Sequence, residues 1–129
     1  MKKILILLFS LIISFNSYGE WTWDNDNINN DSYYLDNKTI KKIDGYVFFW
    51  SLEDFNMPLV NDKIYSAKVY KKIDCSRERT DDIRVVYYDQ PMGDGEIYVS
   101  DDFPETEWDY PIPGSSFYIL MESACNYLK

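Results

Sequence analysis

The sequence predicts an α+β domain: an antiparallel β-sheet of about five to six strands, with a C-terminal α-helix packed on one face and tethered by a disulfide. Three observations lead to this fold class. Short apolar segments separated by turn dipeptides are typical of strands. The last residues change to helical spacing, and the chain has only two cysteines, one in each kind of segment. A hydrophobic content of 46% and an aromatic content of 18% indicate a folded chain.

The strand segments are short and rich in aromatic and β-branched residues. Tyr46–Leu52 follows the turn dipeptide Asp44-Gly45 and is apolar on both faces, which predicts a central strand covered on two sides. Glu20–Ser32 and the three-proline segment Asp101–Gly114 are interpreted as loops. The predicted strands are 33–35, 39–43, 46–52, 64–75, 83–88 and 96–100.

Segment 64–75 alternates, with Lys68, Tyr70 and Lys72 on one face and Cys75 on the apolar, core-facing side. After Pro113-Gly114, a serine at position 115 or 116 can cap a helix. Six residues then follow the spacing of one helical stripe: Phe117, Leu120, Met121, Ala124, Cys125 and Leu128.

The N-terminus has the layout of a secretory signal. Met1-Lys2-Lys3 precedes the apolar run Ile4–Phe15, and Ser17-Tyr18-Gly19 offers small residues to a signal peptidase. The run is shorter than the roughly 20 apolar residues of a membrane-spanning helix. We therefore expect a signal peptide at 1–19 and a single exported domain at 20–129, with no membrane anchor after cleavage.

Export favours a disulfide between Cys75 and Cys125, since an oxidising compartment joins cysteines and two of them allow one intramolecular pairing. The bridge closes a loop of about 50 residues, which the chain-entropy model values at roughly 4 kcal/mol. Two buried, reduced thiols are the alternative.

The charge balance excludes several partners and most enzyme classes. Without Lys2 and Lys3, the chain has eleven cations and 22 acids. The resulting net charge of −11 disfavours binding to nucleic acid and to anionic lipid. The absence of histidine removes Ser-His-Asp and Cys-His nucleophiles and histidine-ligated metals. The acidic stretch Asp24–Asp31 lacks the glycine and the bidentate acid of a calcium loop. We expect no catalytic residue, no metal and no cofactor.

Seven of the eleven cations lie between Lys63 and Arg84. Interleaved with tyrosines, this region predicts a surface that recognises an acidic or sulfated partner. Charge balance within the chain, or protection of an edge strand by lysine, is the alternative. The candidate binding residues are Lys68, Tyr70, Lys72, Arg77 and Arg79.

A single short helix covers one face of a sheet, yet Tyr46–Leu52 and Ile83–Tyr88 are apolar on both faces. Either the sheet curls strongly on itself or a second copy covers the remaining face. We favour the second interpretation and expect a homodimer.

An ordered series of short motifs runs through nearly all of the mature chain: Trp21, Asp36, Thr39-Ile40, Val47–Trp50, Ser66-Ala67-Lys68, Asp74-Cys75-Ser76, Tyr87-Tyr88, Gly93, Trp108, Pro113-Gly114-Ser115 and Cys125. In this order, with an Asp-Cys pair after a strand and a cysteine ten residues after the Pro-Gly-Ser helix start, the chain resembles the surface-adhesin protein E family.

The resemblance implies an antiparallel sheet with a disulfide-tethered C-terminal helix, often dimeric, exported by a Gram-negative bacterium. It also implies a non-enzymatic adhesin that binds a host extracellular-matrix or serum protein. The namesake type is lipid-anchored through an N-terminal cysteine, whereas this chain has Glu20 there. We therefore expect a periplasmic, cell-surface or secreted protein that is not lipid-anchored.

Two other functions remain open. An acidic exported domain suits a periplasmic inhibitor or accessory subunit, for example of a basic enzyme such as lysozyme, with the segment 101–114 inserted into the partner. A small-ligand carrier that uses the tyrosine and tryptophan surface is the other.

Overall fold

The computed structural model describes residues 20–129. The predicted signal peptide lies outside the described residues. The described chain forms β1 (Thr22–Asp26), β2 (Ser32–Leu35), β3 (Lys41–Ile43), β4 (Tyr46–Leu59), β5 (Ile64–Asp74), β6 (Arg79–Tyr88), β7 (Ile97–Asp102) and α1 (Ser116–Tyr127).

The strands form one antiparallel sheet in the order β1-β2-β4-β5-β6-β7, and β3 pairs with β4 beside this series. The pairing of the central strands β4 and β5 determines which side chains lie on each face of the sheet, because directly opposed residues share a face. Phe49 lies opposite Lys71, and Trp50 lies opposite Tyr70. The predicted fold class is confirmed.

Strand β1 differs from the sequence prediction, which interpreted Glu20–Ser32 as a loop. It has no apolar alternation because it is an edge strand, and only one of its five residues is buried. Its pairing with β2 follows a tight turn held by Asn27, whose side-chain oxygen accepts the N–H groups of Asn29 and Asp31, each at 2.9 Å. These hydrogen bonds fix the turn, and the turn places the polar segment beside β2, where it pairs as a strand.

The other strand boundaries also differ, and β7 runs to Asp102, into the segment interpreted as a loop. β4 continues through Pro58, which lies beyond Asp54 in an irregular part of the β4–β5 ladder, where a missing N–H is tolerated. β5 ends at Asp74, so that Cys75 follows the strand. β6 begins at Arg79 rather than at residue 83. Its first residues are polar and pair with β5. Apolar alternation therefore does not indicate that they belong to a strand.

Helix α1 packs against β1, β2 and β4. Ser115 caps the start of the helix, as predicted, because its hydroxyl accepts the N–H of Tyr118. The Cys75–Cys125 disulfide, with 6.0 Å between the two Cα atoms, ties the helix to the end of β5. We call this side of the sheet the helix face; its buried core comprises Tyr33, Leu35, Ile40, Val47, Phe49, Ile73, Leu120, Met121 and Ala124.

Candidate functional site

The side of the sheet opposite the helix carries a row of aromatic rings. Strand alternation projects the rings of β4, β5 and β6 to this side, where Tyr70 stacks on Phe48 at 6.1 Å and lies 5.1 Å from Trp50 between ring centroids. We call this surface the aromatic face; its rings are Trp21, Tyr46, Phe48, Trp50, Tyr70, Tyr88 and Trp108. These rings are half-buried, so they combine packing with access to solvent.

One end of the aromatic face is built around Trp108. The Lys72 ammonium lies 4.4 Å from the Tyr46 centroid and 5.3 Å from that of Trp108, and the Arg79 guanidinium lies 4.3 Å from Trp108. Trp108 comes from the segment after β7, which two backbone hydrogen bonds of 2.8 Å between Asp109 and Thr80 fix beside β6. This end is therefore a cation–π cluster assembled from distant parts of the chain.

The other end is built around Lys68, whose ammonium lies 4.8 Å from the Tyr88 centroid and 5.9 Å from the Trp21 centroid. Here the turn Pro91–Gly93 also packs over the face, where it contacts β4 and β5. Segments of the same chain thus cover part of the apolar surface that the sequence assigned to a second copy. A homodimer stays a prediction.

The five sequence-predicted binding residues lie in different surroundings. Lys68, Tyr70 and Lys72 share the aromatic face, whereas Arg77 is exposed in the turn between β5 and β6. Arg79 joins Trp108 but also forms a largely buried ion pair with Asp74 at 2.9 Å. Burial opposes ionisation of Asp74, yet hydrogen bonds from Ser76 and Arg79 outweigh it and lower the pKa of this carboxyl. Arg79 therefore has a structural role in holding the end of β5.

The predicted binding residues included Tyr70 but not the other rings that surround the two lysines. The alternation of Tyr46, Phe48 and Trp50 was a usable signal, since it places the three rings on one face. Trp108 and Trp21 had no such signal, because both belong to irregular segments whose positions depend on long-range contacts.

A second charged group lies on the helix face. Lys71 is 4% exposed and pairs with Asp82 at 2.8 Å, and the Phe117 ring covers its ammonium at 4.9 Å. Glu53 is on the same face, opposite Tyr33 and Ala67. Burial raises the pKa of Glu53, while nearby Lys71 opposes that rise and Asp82 adds to it. The ionised form of Glu53 is therefore disfavoured in the folded chain.

We expect Glu53→Gln to raise the free energy of unfolding at pH 7 and to change it little near pH 4. Because the folded-state pKa exceeds the ordinary value of 4.5, the stability from protonated Glu53 is present below that value and is lost as pH rises through the folded pKa. Urea denaturation at the two pH values measures the difference. Exposed Glu105→Gln is the control, and a wild-type pH profile in Glu53→Gln would contradict the assignment.

Nothing in residues 20–129 assembles three acidic or cysteine side chains into a group that could hold a metal ion. Over the same range, no helix is long and apolar enough to cross a bilayer. The Ser66 hydroxyl near Lys68 donates to the carbonyl of Gln90 at 2.6 Å and accepts the N–H of Gly93 at 2.8 Å. Its observed contacts therefore hold the turn over the aromatic face.

Solved structures with the same fold come from Haemophilus influenzae protein E. One matches with a TM-score of 0.56 and 18% identity, over 85% of this chain and 87% of the other. A second crystal form of that protein matches with a TM-score of 0.55 and 19% identity, over 81% and 88%. No curated protein matches the sequence.

The family model for surface-adhesin protein E matches residues 21–126, nearly the whole of the described chain. The match includes all seven strands, the helix up to Asn126 and both cysteines of the described part. It therefore agrees with the motif order in the sequence and with the disulfide-tethered helix. The chain belongs to the surface-adhesin protein E family.

Proposed function

We propose that this chain is an exported, non-enzymatic adhesin that binds a host extracellular-matrix or serum protein through its aromatic face. Family membership supports adhesion. The observation that carries the choice of surface is the alternation of cations with accessible rings, Lys68 and Lys72 on either side of Tyr70. Tyrosine and tryptophan are enriched among the few residues that supply most of the binding energy at protein interfaces.

The electrostatics support an acidic region on the partner. In the part of the chain that the structure describes, the four ion pairs use Lys38, Lys71, Arg79 and Arg84 as cations. Lys68 and Lys72 instead lie over rings. A carboxylate of a partner can therefore approach these ammonium groups without breaking one of these ion pairs, and complementary charge speeds association.

The mature form that we propose begins at Glu20, after removal of residues 1–19. Its route is export to the periplasm, the cell surface or the medium, with no lipid anchor because position 20 is not a cysteine. Export is consistent with the Cys75–Cys125 disulfide, which persists in oxidising compartments.

The test is capture of the mature chain by immobilised matrix and serum proteins at physiological salt. The aromatic-face variant carries Lys68→Gln and Lys72→Gln, and leaves Arg79 in place because Asp74 needs its partner. We expect at least tenfold weaker capture, since the loss of one desolvated charge-assisted contact, about 1.5–3 kcal/mol, already weakens affinity about tenfold or more. The control carries Lys63→Gln and Lys129→Gln, which removes the same charge elsewhere.

Two results would contradict the proposal. In the first, the wild-type chain captures no protein from either class. In the second, the control variant loses as much capture as the aromatic-face variant. Inhibition of lysozyme by a chain that captures neither class would instead support the inhibitor function.

A further inference from the structure

A pocket of about 320 Å³ opens at the Lys68 end of the aromatic face. The Trp21, Trp50 and Tyr88 rings belong to its lining, together with buried Val86. Its polar lining consists of two cations and one acceptor: Lys68, Arg84 and Asp36. The volume is near the lower end of the range for small-molecule sites. It suits a ligand of one or two rings.

Lys68 is held in this pocket by close packing on several sides. Its Cε lies so near Gly93 that an added Cβ there would approach it to 2.6 Å, and its ammonium lies over Tyr88 and Trp21. Gly93 has a φ of +69°, which glycine adopts without strain. The turn that carries it is fixed by Ser66, and Asp54 accepts the N–H of Met92 at 2.9 Å. The ammonium is therefore pre-organised.

The same ammonium has no carboxylate partner among the ion pairs of the described residues. Arg84, the second cation of the pocket, pairs with Asp102 at 3.3 Å, and both of these side chains are largely exposed. An exposed pair of this kind contributes little and exchanges readily with a ligand anion. Two cations are thus available to one negatively charged group.

We propose that this pocket binds an acidic saccharide, a sugar that carries one carboxylate or sulfate. The Lys68 ammonium and the Arg84 guanidinium bind the anion through charge-assisted hydrogen bonds. The C–H groups of the sugar ring pack against the tryptophan rings of the lining, Trp21 and Trp50. The Asp36 carboxylate accepts hydrogen bonds from sugar hydroxyl groups.

Each part of the lining favours this ligand over the alternatives. A long polyanion is opposed by the net charge of −9 on the full sequence, since repulsion acts over the whole chain while the pocket neutralises one group. An acidic peptide can bring a carboxylate to Lys68, but it offers neither the hydroxyl groups that Asp36 can accept nor an apolar ring face for the tryptophans of the lining. A sugar offers one anion, several hydroxyl groups and an apolar ring face.

This inference deepens the proposed function and rests on it for the role of the aromatic face. The experiment is calorimetric titration of the mature chain with glucuronic acid, N-acetylglucosamine 6-sulfate and uncharged glucose. Acetate, inorganic sulfate and a hexaglutamate peptide are added as anions without a sugar. We expect a Kd of about 1 mM for at least one acidic sugar, typical of a few polar contacts, and about tenfold weaker binding of glucose. The two acidic sugars separate carboxylate from sulfate recognition.

Lys68→Met should weaken binding of the acidic sugar by about tenfold and leave glucose unchanged, because it removes one charge-assisted contact and keeps the apolar stem. Lys63→Met removes an exposed lysine of the β4–β5 turn and should have no effect. Trp21→Leu, which keeps both cations, should weaken acidic sugar and glucose alike. This second variant tests the pocket even if Lys68→Met does not fold.

The inference is overturned if neither acidic sugar binds, or if glucose, acetate, sulfate or hexaglutamate binds as tightly as they do. It is also overturned if Lys68→Met and Lys63→Met behave alike. Free sugars are tested without any host protein. Capture of a matrix protein with no sugar binding would therefore overturn this inference alone, whereas sugar binding without capture would overturn the proposed protein partner.

Discussion

Replacing both Cys75 and Cys125 with alanine is expected to lower the free energy of unfolding by about 4 kcal/mol. The bridge spans 50 residues of sequence, so its loss releases a long loop in the unfolded chain. The helix depends on this link because only three of its residues are buried: Leu120, Met121 and Ala124. Urea denaturation of the double variant and the wild type measures the loss, and hydrogen exchange of the α1 amides reports whether the helix detaches.

The matched control for the disulfide is Ser123→Ala, which changes the same helix by removing one hydroxyl that donates to the carbonyl of Ile119. We expect its stability to stay within about 0.5 kcal/mol of the wild type, as for other substitutions away from the core. A double-cysteine variant as stable as this control, with protected helix amides, would contradict the tether.

Phe49→Ala is expected to cost about 3–5 kcal/mol, the range for removing a large buried aromatic side chain. Phe49 is fully buried in the middle of β4, where it belongs to the core between sheet and helix. Its neighbour Phe48 is half-buried on the aromatic face, beside Tyr70. Phe48→Ala therefore removes the same group from the other side of the same strand.

Comparing the two phenylalanine variants by urea denaturation identifies which face holds the core. The account predicts that Phe48→Ala costs clearly less than Phe49→Ala, because a half-buried ring loses less contact. Equal costs, or a larger cost for Phe48→Ala, would mean that the aromatic face is also a closed core and is not free to bind a partner.

Much of the site was predictable from two local rules. The period of two along a strand places Lys68, Tyr70 and Lys72 on one face, and the helical period places Cys125 in the buried stripe. The strand and the helix could then be joined because only two cysteines are available. Local patterning is reliable here because each of these elements has one buried side.

The parts that sequence reasoning did not predict depend on distant contacts. Trp108 reaches Lys72 only because Asp109 pairs with Thr80, 29 positions earlier in the chain. Arg79 was grouped with the binding cations, yet its buried contact with Asp74 gives it a structural role that charge patterning does not reveal. Lys71 interrupts an apolar face, and only its contacts with Asp82 and Phe117 explain how the charge is accommodated there.

The central claim is that recognition takes place on the aromatic face, and the most direct test is the association rate with a captured matrix or serum protein as salt concentration changes. With Lys68 and Lys72 replaced by glutamine, we expect slower association and a flatter salt dependence, because screening acts on charges at the contact. The Lys63 and Lys129 control should keep the wild-type slope. An unchanged rate and slope in the aromatic-face variant would contradict the account.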